Sequence, residues 1–124
     1  MKVISILDLA ENEIGDLGIC EIVTALKNFS LIEDIDLSCN AIGKTSFFKD
    51  CAEALSLLLT ENKNLEHLKL NWNNIRGVPG EKIITAIKTC YALKSVFLAN
   101  NLLGVAYEGI EPPVNIFCDV LMSS

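Results

Sequence analysis

Four stretches of the chain repeat one arrangement of apolar and polar positions. They read ISILDLAENEIG from Ile4, IEDIDLSCNAIG from Ile32, LEHLKLNWNNIRG from Leu65 and LKSVFLANNLLG from Leu93. Each follows apolar-x-x-apolar-x-Leu-x-x-Asn-x-apolar, with the triplets Ile4/Leu7/Leu9, Ile32/Ile35/Leu37, Leu65/Leu68/Leu70 and Leu93/Val96/Leu98. The asparagines are Asn12, Asn40, Asn73 and Asn101, spaced by 28, 33 and 28 residues. Alternation across the last two members of each triplet predicts a short strand that points both side chains into one core. The first member turns into the same core ahead of the strand. Beyond the strand the chain bends sharply, and an Asn side chain satisfies backbone groups that a bend leaves unpaired. Stacked repeats then bring the asparagines into a buried ladder whose role is structural.

Between the strands the period changes to a helical one. After Asn12, the residues Ile19, Ile22, Val23, Leu26 and Phe29 recur at helical spacing, and after Asn73 the residues Ile83, Ile84 and Ile87 do the same. Thr24-Ala25-Leu26-Lys27 aligns without a gap over Thr85-Ala86-Ile87-Lys88. The second repeat has five extra residues near Lys44–Asp50. Its helix is expected to start at Thr45 or Ser46, residue types that cap well, and to bury Phe48, Ala52, Leu55 and Leu59. The fourth repeat lacks a regular helix. An irregular insertion over Val105–Glu111 leads to Pro112-Pro113, and Val114, Phe117, Cys118 and Leu121 then predict a closing helix that caps the core.

A repeat of 28 residues with this Asn-centred strand motif and a full helix resembles the ribonuclease-inhibitor type of leucine-rich repeat. The resemblance covers roughly residues 3–104. It implies an α/β fold: a right-handed βα solenoid curved like a horseshoe, with short parallel strands on the concave face and helices on the convex face. One domain over residues 1–124 is expected, with repeats at about 4–31, 32–64, 65–92 and 93–104 and the insertion and capping helix at 105–124. No capping element precedes Ile4, although terminal repeats normally need one. Either another chain covers the first strand's edge, or the segment belongs to a longer horseshoe.

The polar positions of each strand motif fall in columns across the concave face. The first column is Ile6, Asp34, His67 and Ser95, and the second is Asp8, Asp36, Lys69 and Phe97. The third is Ala10, Ser38, Asn71 and Ala99, and the fourth is Glu11, Cys39, Trp72 and Asn100. One half of the face is acidic, through Asp8, Glu11, Asp34 and Asp36, and the other carries His67, Lys69, Asn71, Trp72 and Phe97. These nine are the candidate partner-binding residues. An exposed Trp beside an exposed Phe makes an anchor pair of the kind that dominates interfaces. The plainer alternative packs Phe97 against Tyr107 and lays Trp72 over its neighbours. Neighbouring strands lie about 4.8 Å apart, which sets Asp36 beside Lys69 and Asp34 beside His67 as cross-strand pairs. Asp8 beside Asp36 is a like-charge neighbour, which points to a cationic partner.

Composition narrows the function further. The chain has 124 residues, is 51% hydrophobic and 21% charged, and carries a formal charge of −6. That describes a folded domain and excludes disorder. Sixteen carboxylates against nine Lys and one Arg, with no cationic cluster, argue against nucleic acid as a partner. No run reaches the roughly 18–20 apolar residues that span a bilayer, so no membrane partner is expected. The apolar start at Val3–Leu7 is too short and too soon acidic for a secretory signal. Five cysteines, an odd number with no CxxC, predict reduced thiols and a cytoplasmic location.

Catalysis has little support. Cys39, His67 and Asp34 come from adjacent strands, but Cys39 and His67 sit in different columns and no oxyanion hole is evident. No spaced His/Cys cluster exists for a metal, and Gly15-Asp16-Leu17-Gly18 reads as the repeat's own turn rather than a phosphate loop. The chain is therefore read as a non-enzyme without a cofactor, a scaffold that binds protein partners through its concave strands and adjoining loops. Four strands make a face only about 15–20 Å across, less than the ~800 Å² a standard interface takes from each partner. The alternative is a regulator of a small GTPase, by analogy with the Ran GTPase-activating proteins that share the repeat type, or of a cytoskeletal protein. The latter rests on Glu61-Asn62-Lys63-Asn64-Leu65, which is similar to a string in the repeat cap of tropomodulins.

Overall fold

A computed structural model describes residues 5–26 and 31–101. Ile4, Phe29, Tyr107 and the expected insertion and closing helix at 105–124 lie outside the described residues. Within them, strand and helix alternate: β1 (Ile6–Asp8), α1 (Gly15–Leu26), β2 (Asp34–Asp36), α2 (Phe48–Glu61), β3 (His67–Lys69), α3 (Gly77–Thr89) and β4 (Ser95–Phe97). The strands form one parallel sheet in the order β1-β2-β3-β4. Helices α1 and α2 pack together, as do α2 and α3. Each strand therefore crosses to its parallel neighbour through a helix, which is the right-handed βα solenoid of the leucine-rich repeat.

The core lies between the sheet and the helices. Ile35, Leu37, Leu65, Leu68 and Leu70 from the strand motifs meet Ile19, Val23, Leu55, Leu59 and Ile83 from the helices, all buried. Leu7 and Leu9 of the first motif are only partly buried, because β1 is an edge strand among the described residues. The expected α2 core residues Phe48, Ala52, Leu55 and Leu59 are all buried. The helix itself begins at Phe48, later than the expected Thr45 or Ser46, with Phe47 at its N-cap and no side-chain cap.

Thr45 is held by a residue that the motif pattern did not single out, while its hydroxyl oxygen accepts the Phe47 N–H at 3.1 Å. Asp16, in the first turn of α1, is 1% exposed. Its carboxylate accepts the Gly43 N–H at 2.7 Å, the Thr45 N–H at 2.9 Å and the Thr45 hydroxyl at 2.7 Å. Helix α1 starts at Gly15, so the segment Gly15–Gly18, expected as a turn, is its first helical turn and carries Asp16 inward. Gly43 adopts φ +98°, and a β-carbon there would strike the Asn74 carbonyl. The Asn74 N–H in turn donates to Ile42 O at 2.6 Å. The insertion of the second repeat is thus pinned on both sides.

The asparagines connect successive repeats. The Asn73 Oδ1 accepts the N–H groups of Asn40 and Ile42 at 2.9 and 3.0 Å, and its amide donates to Leu37 O, Leu70 O and Asn71 O. Asn40 does the same one repeat earlier, accepting from Asn12 and Ile14 and donating to Leu9 O and Ser38 O. Asn101 accepts from Ile75 and donates to Leu70 O, Leu98 O and Ala99 O. Asn40 and Asn73 are buried, as the ladder requires, and Asn101 is half-buried. Asn12, in the edge repeat, is exposed, and its side-chain amide donates only to Leu9 O and Ala10 O of its own turn.

Two outcomes follow from this packing. Asn73→Ala leaves the buried Asn40 and Ile42 N–H groups and the Leu37 carbonyl short of partners, while Leu70 O keeps the Asn101 amide, and should cost about 3 kcal/mol or more in urea unfolding. Asn12→Ala, at the exposed end, should cost about 1 kcal/mol or less. Cys51, fully buried in α2, supplies a pH dependence. Burial first, then the Asp16 carboxylate and Cys20, push its thiol up to about 12 from 9.0. Between those values the unfolded chain releases the Cys51 proton and the folded chain keeps it, so stability falls as pH rises from about 9 to about 12. Urea titrations across that range should show a steeper decline for the native sequence than for Cys51→Ala. Equal slopes would remove Cys51 as a source.

Candidate concave-face binding site

The parallel register sets the side-chain columns. Ile6, Asp34, His67 and Ser95 are in line, as are Asp8, Asp36, Lys69 and Phe97, while Leu7, Ile35, Leu68 and Val96 between them face the core. The columns read from the sequence therefore coincide with the register. The pairings expected within them do not form.

Ion pairs among the described residues join His67 to Glu66, Lys94 to Glu66 and Lys82 to Glu53. Asp34 and Asp36 take part in none of them. The His67 Nδ1 instead lies 2.7 Å from the Ser95 hydroxyl, and the Lys69 ammonium reaches over the Phe97 ring, 5.9 Å from its centroid. The aspartates are held by their own backbone. Asp36 Oδ1 accepts the Ser38 N–H at 3.0 Å, and Asp8 Oδ1 accepts the Ala10 N–H at 3.0 Å. For Asp36 the physical reason is the ladder: Leu9 O, which the register would offer to Ser38, is taken by the Asn40 amide at 2.9 Å. The Ser38 N–H therefore needs another acceptor, and the Asp36 carboxylate supplies it; Asp8 serves the Ala10 N–H on the edge strand, where no described strand offers a carbonyl. This gives Asp8 and Asp36 a structural reason to stand side by side, apart from any cationic partner.

Asn71 is also committed to the fold. Its Oδ1 accepts the Ala99 N–H at 2.8 Å, and its own N–H donates to the Ser38 hydroxyl at 3.1 Å. The fourth column behaves differently. Glu11, Cys39, Trp72 and Asn100 have φ values of +62°, +55°, +56° and +59° and each immediately precedes a ladder asparagine. The left-handed turn aims all four outward, and all four are exposed. Trp72 is 65% exposed.

Two hollows flank the indole. The larger, about 380 Å³, is lined by Glu11, Asp36, Cys39, Lys69, Trp72 and Phe97, among others. The smaller, about 310 Å³, lies between Trp72, Glu13, Lys44 and Asn100. Of the nine candidate residues, Glu11, Asp36, Lys69, Asn71, Trp72 and Phe97 line the larger hollow, whereas Asp8, Asp34 and His67 do not. Ser38, Glu13 and Lys44 belong to the walls and were not singled out from the sequence. Ser38 shares a column with Asn71, which was the available signal. Glu13 and Lys44 lie past the ladder asparagines, where the strand columns stop.

Cys39 is exposed on the turn and His67 is engaged by Ser95, so the Cys–His–Asp arrangement is not assembled. Among the described residues, no three His, Cys, Asp or Glu side chains come together as a metal-binding group, and no helix is long and apolar enough to cross a membrane.

Comparison with known proteins agrees with the geometry. The family model described as Leucine Rich repeat matches residues 3–22 and 61–83, which hold the first and third strand motifs. A curated mouse protein, NACHT, LRR and PYD domains-containing protein 9C of Mus musculus, is 35% identical over 88 residues. That match covers 69% of this chain and 8% of the mouse protein, so the chain spans a small part of that relative's length. Asparagine ladder, parallel βα repeats and sequence matches together establish that the chain belongs to the leucine-rich repeat proteins, whose repeats serve in general as non-catalytic protein-interaction modules.

Proposed function

We propose that this chain is a non-catalytic module that binds a protein partner through its concave strands and the turns beside them, with Trp72 and Phe97 as anchors. The observation that carries this reading is the position of Trp72. Its backbone is left-handed, a conformation that glycine and asparagine adopt at lower cost than a bulky residue. Its side chain is 65% exposed. Neither backbone preference nor core packing accounts for a tryptophan there, and exposed aromatic anchors are what protein interfaces use. Lys69 and Phe97 stand beside it as a cation–aromatic pair.

The strand face is narrow, so the turns carrying Glu11, Cys39, Trp72 and Asn100 extend the contact area toward interface size. Glu11 and Asp36 form the acidic side of the same surface, and Asp8, Asp34 and His67 flank it along the strands. A Trp72→Ala/Phe97→Ala double variant tests the placement by affinity capture from lysate, with circular dichroism to verify its fold. A protein retained by the native chain should be lost, or reduced roughly tenfold or more, with the variant. Equal recovery by both overturns the concave placement, and recovery of nothing by either overturns the module reading.

A further inference from the structure

We infer that the larger hollow receives a lysine or arginine side chain from a basic segment of the partner protein, seated between the Glu11 and Asp36 carboxylates and the Trp72 ring. This rests on the proposed binding role of the concave face and names the chemistry of what binds there.

The fold leaves carboxylates of this face uncompensated among the described residues. Lys69 is directly in register with Asp36, one strand away. Its ammonium nevertheless makes no ion pair with that carboxylate and extends over Phe97 on the opposite side. Asp36 uses one oxygen, Oδ1, for the Ser38 N–H. Among the described residues neither its second oxygen nor the Glu11 carboxylate has a hydrogen-bond or ion-pair partner. Asp8 and Asp34 lie alongside in the register, adding negative potential to the same half of the face. A cation entering here meets a focused field rather than an isolated surface acid.

The shape of the hollow completes the case. Its volume of about 380 Å³ is within the range of formed binding clefts and has room for a long side chain. The indole of Trp72 forms one wall, and tryptophan is the best aromatic partner for an ammonium or guanidinium group. Lys69 on Phe97 already holds the same type of contact within this chain. Lys69 also lines the hollow, but its ammonium is engaged over Phe97; the two carboxylates, Glu11 and Asp36, outnumber it, so charge complementarity favours a basic partner over an acidic one.

Trp72 is the only tryptophan of the chain, so its fluorescence reports on the indole that walls this hollow, and the Glu11 and Asp36 variants assign the response to the larger hollow rather than the smaller one beside it. The probes are capped hexa-arginine, hexa-glutamate and hexa-serine peptides, titrated into the full chain at low and high salt. Hexa-arginine should change the emission saturably, more weakly at high salt, and the other two should not. Glu11→Gln/Asp36→Asn should weaken hexa-arginine binding roughly tenfold or more. The Asn amide oxygen keeps the acceptor for the Ser38 N–H. Glu21→Gln/Glu61→Gln removes the same charge from exposed helix positions and should leave binding nearly unchanged. The single Glu11→Gln variant, on an exposed turn, serves if circular dichroism finds the double variant unfolded.

Saturable binding of hexa-glutamate or hexa-serine, no response to hexa-arginine, or equal loss in both charge-neutral variants would overturn the inference. The capture experiment separates it from the broader reading. A partner lost with Trp72→Ala/Phe97→Ala but fully retained by Glu11→Gln/Asp36→Asn overturns the basic-segment inference and leaves the binding module standing. A partner retained by both variants overturns the two together.

Discussion

The side-chain amide of one asparagine per repeat is the interaction on which the rest of this structure depends. A sharp turn after every strand strands backbone N–H and C=O groups inside the solenoid, where leaving each unpaired costs on the order of 1–3 kcal/mol. An asparagine amide is both donor and acceptor, so Asn73 serves the turn of the repeat before it and its own turn at once. The bonds run from each repeat to its predecessor, and stability is therefore shared between neighbours, as in other stacked repeats. Asn12 has no described repeat before it, and its exposure marks the end of that chain of dependence.

The ladder also decides what the surface looks like. To bring the amide inward, the preceding residue must turn left-handed, and its side chain is thereby aimed away from the core. Glu11, Cys39, Trp72 and Asn100 are exposed for this one reason. The Asn40 amide further occupies the Leu9 carbonyl that Ser38 would have used, and Asp36 bends back to serve that N–H, while Asp8 serves the Ala10 N–H at the edge strand. Structural demand thus fixes one oxygen of each aspartate. What it leaves free is the outer part of the face.

The periodic part of this architecture was legible in the sequence, and the reason is geometric. Strand residues alternate and parallel strands stack in register, so spacing alone predicts that Asp36 neighbours Lys69 and that Leu68 faces the core. Spacing says nothing about where a long side chain goes once it leaves the strand. Lys69 chose the Phe97 ring and His67 chose Ser95, and the pairings expected from register alone failed. The Asp16 clasp was missed for another reason. An acidic residue in a first helical turn is ordinary, and only the loop inserted in the second repeat, with Gly43 and Thr45 pointing back, gives it a buried partner set. The Thr45 hydroxyl donates to Asp16 while its oxygen accepts the Phe47 N–H, so Thr45 sits two residues ahead of the N-cap and α2 begins at Phe48.

Recognition in such a fold is carried by the positions that neither ladder nor core requires. The apolar triplets are fixed by burial, the asparagines by the turn and Asn71 by the Ala99 N–H. The fourth column is constrained only in its backbone, and that constraint favours small or amide side chains. Asn100 obeys the preference, whereas Trp72 opposes it and also exposes a large apolar ring to water. Two unfavourable choices at one position, both local and neither offset within the described residues, support the proposed binding role of Trp72. The acidic groups left unpaired beside it give the ring its chemical context. Glu11 and Asp36 add charge to a wall that is already a π-face, a combination that on the proposed reading favours a cationic side chain over a neutral or acidic one.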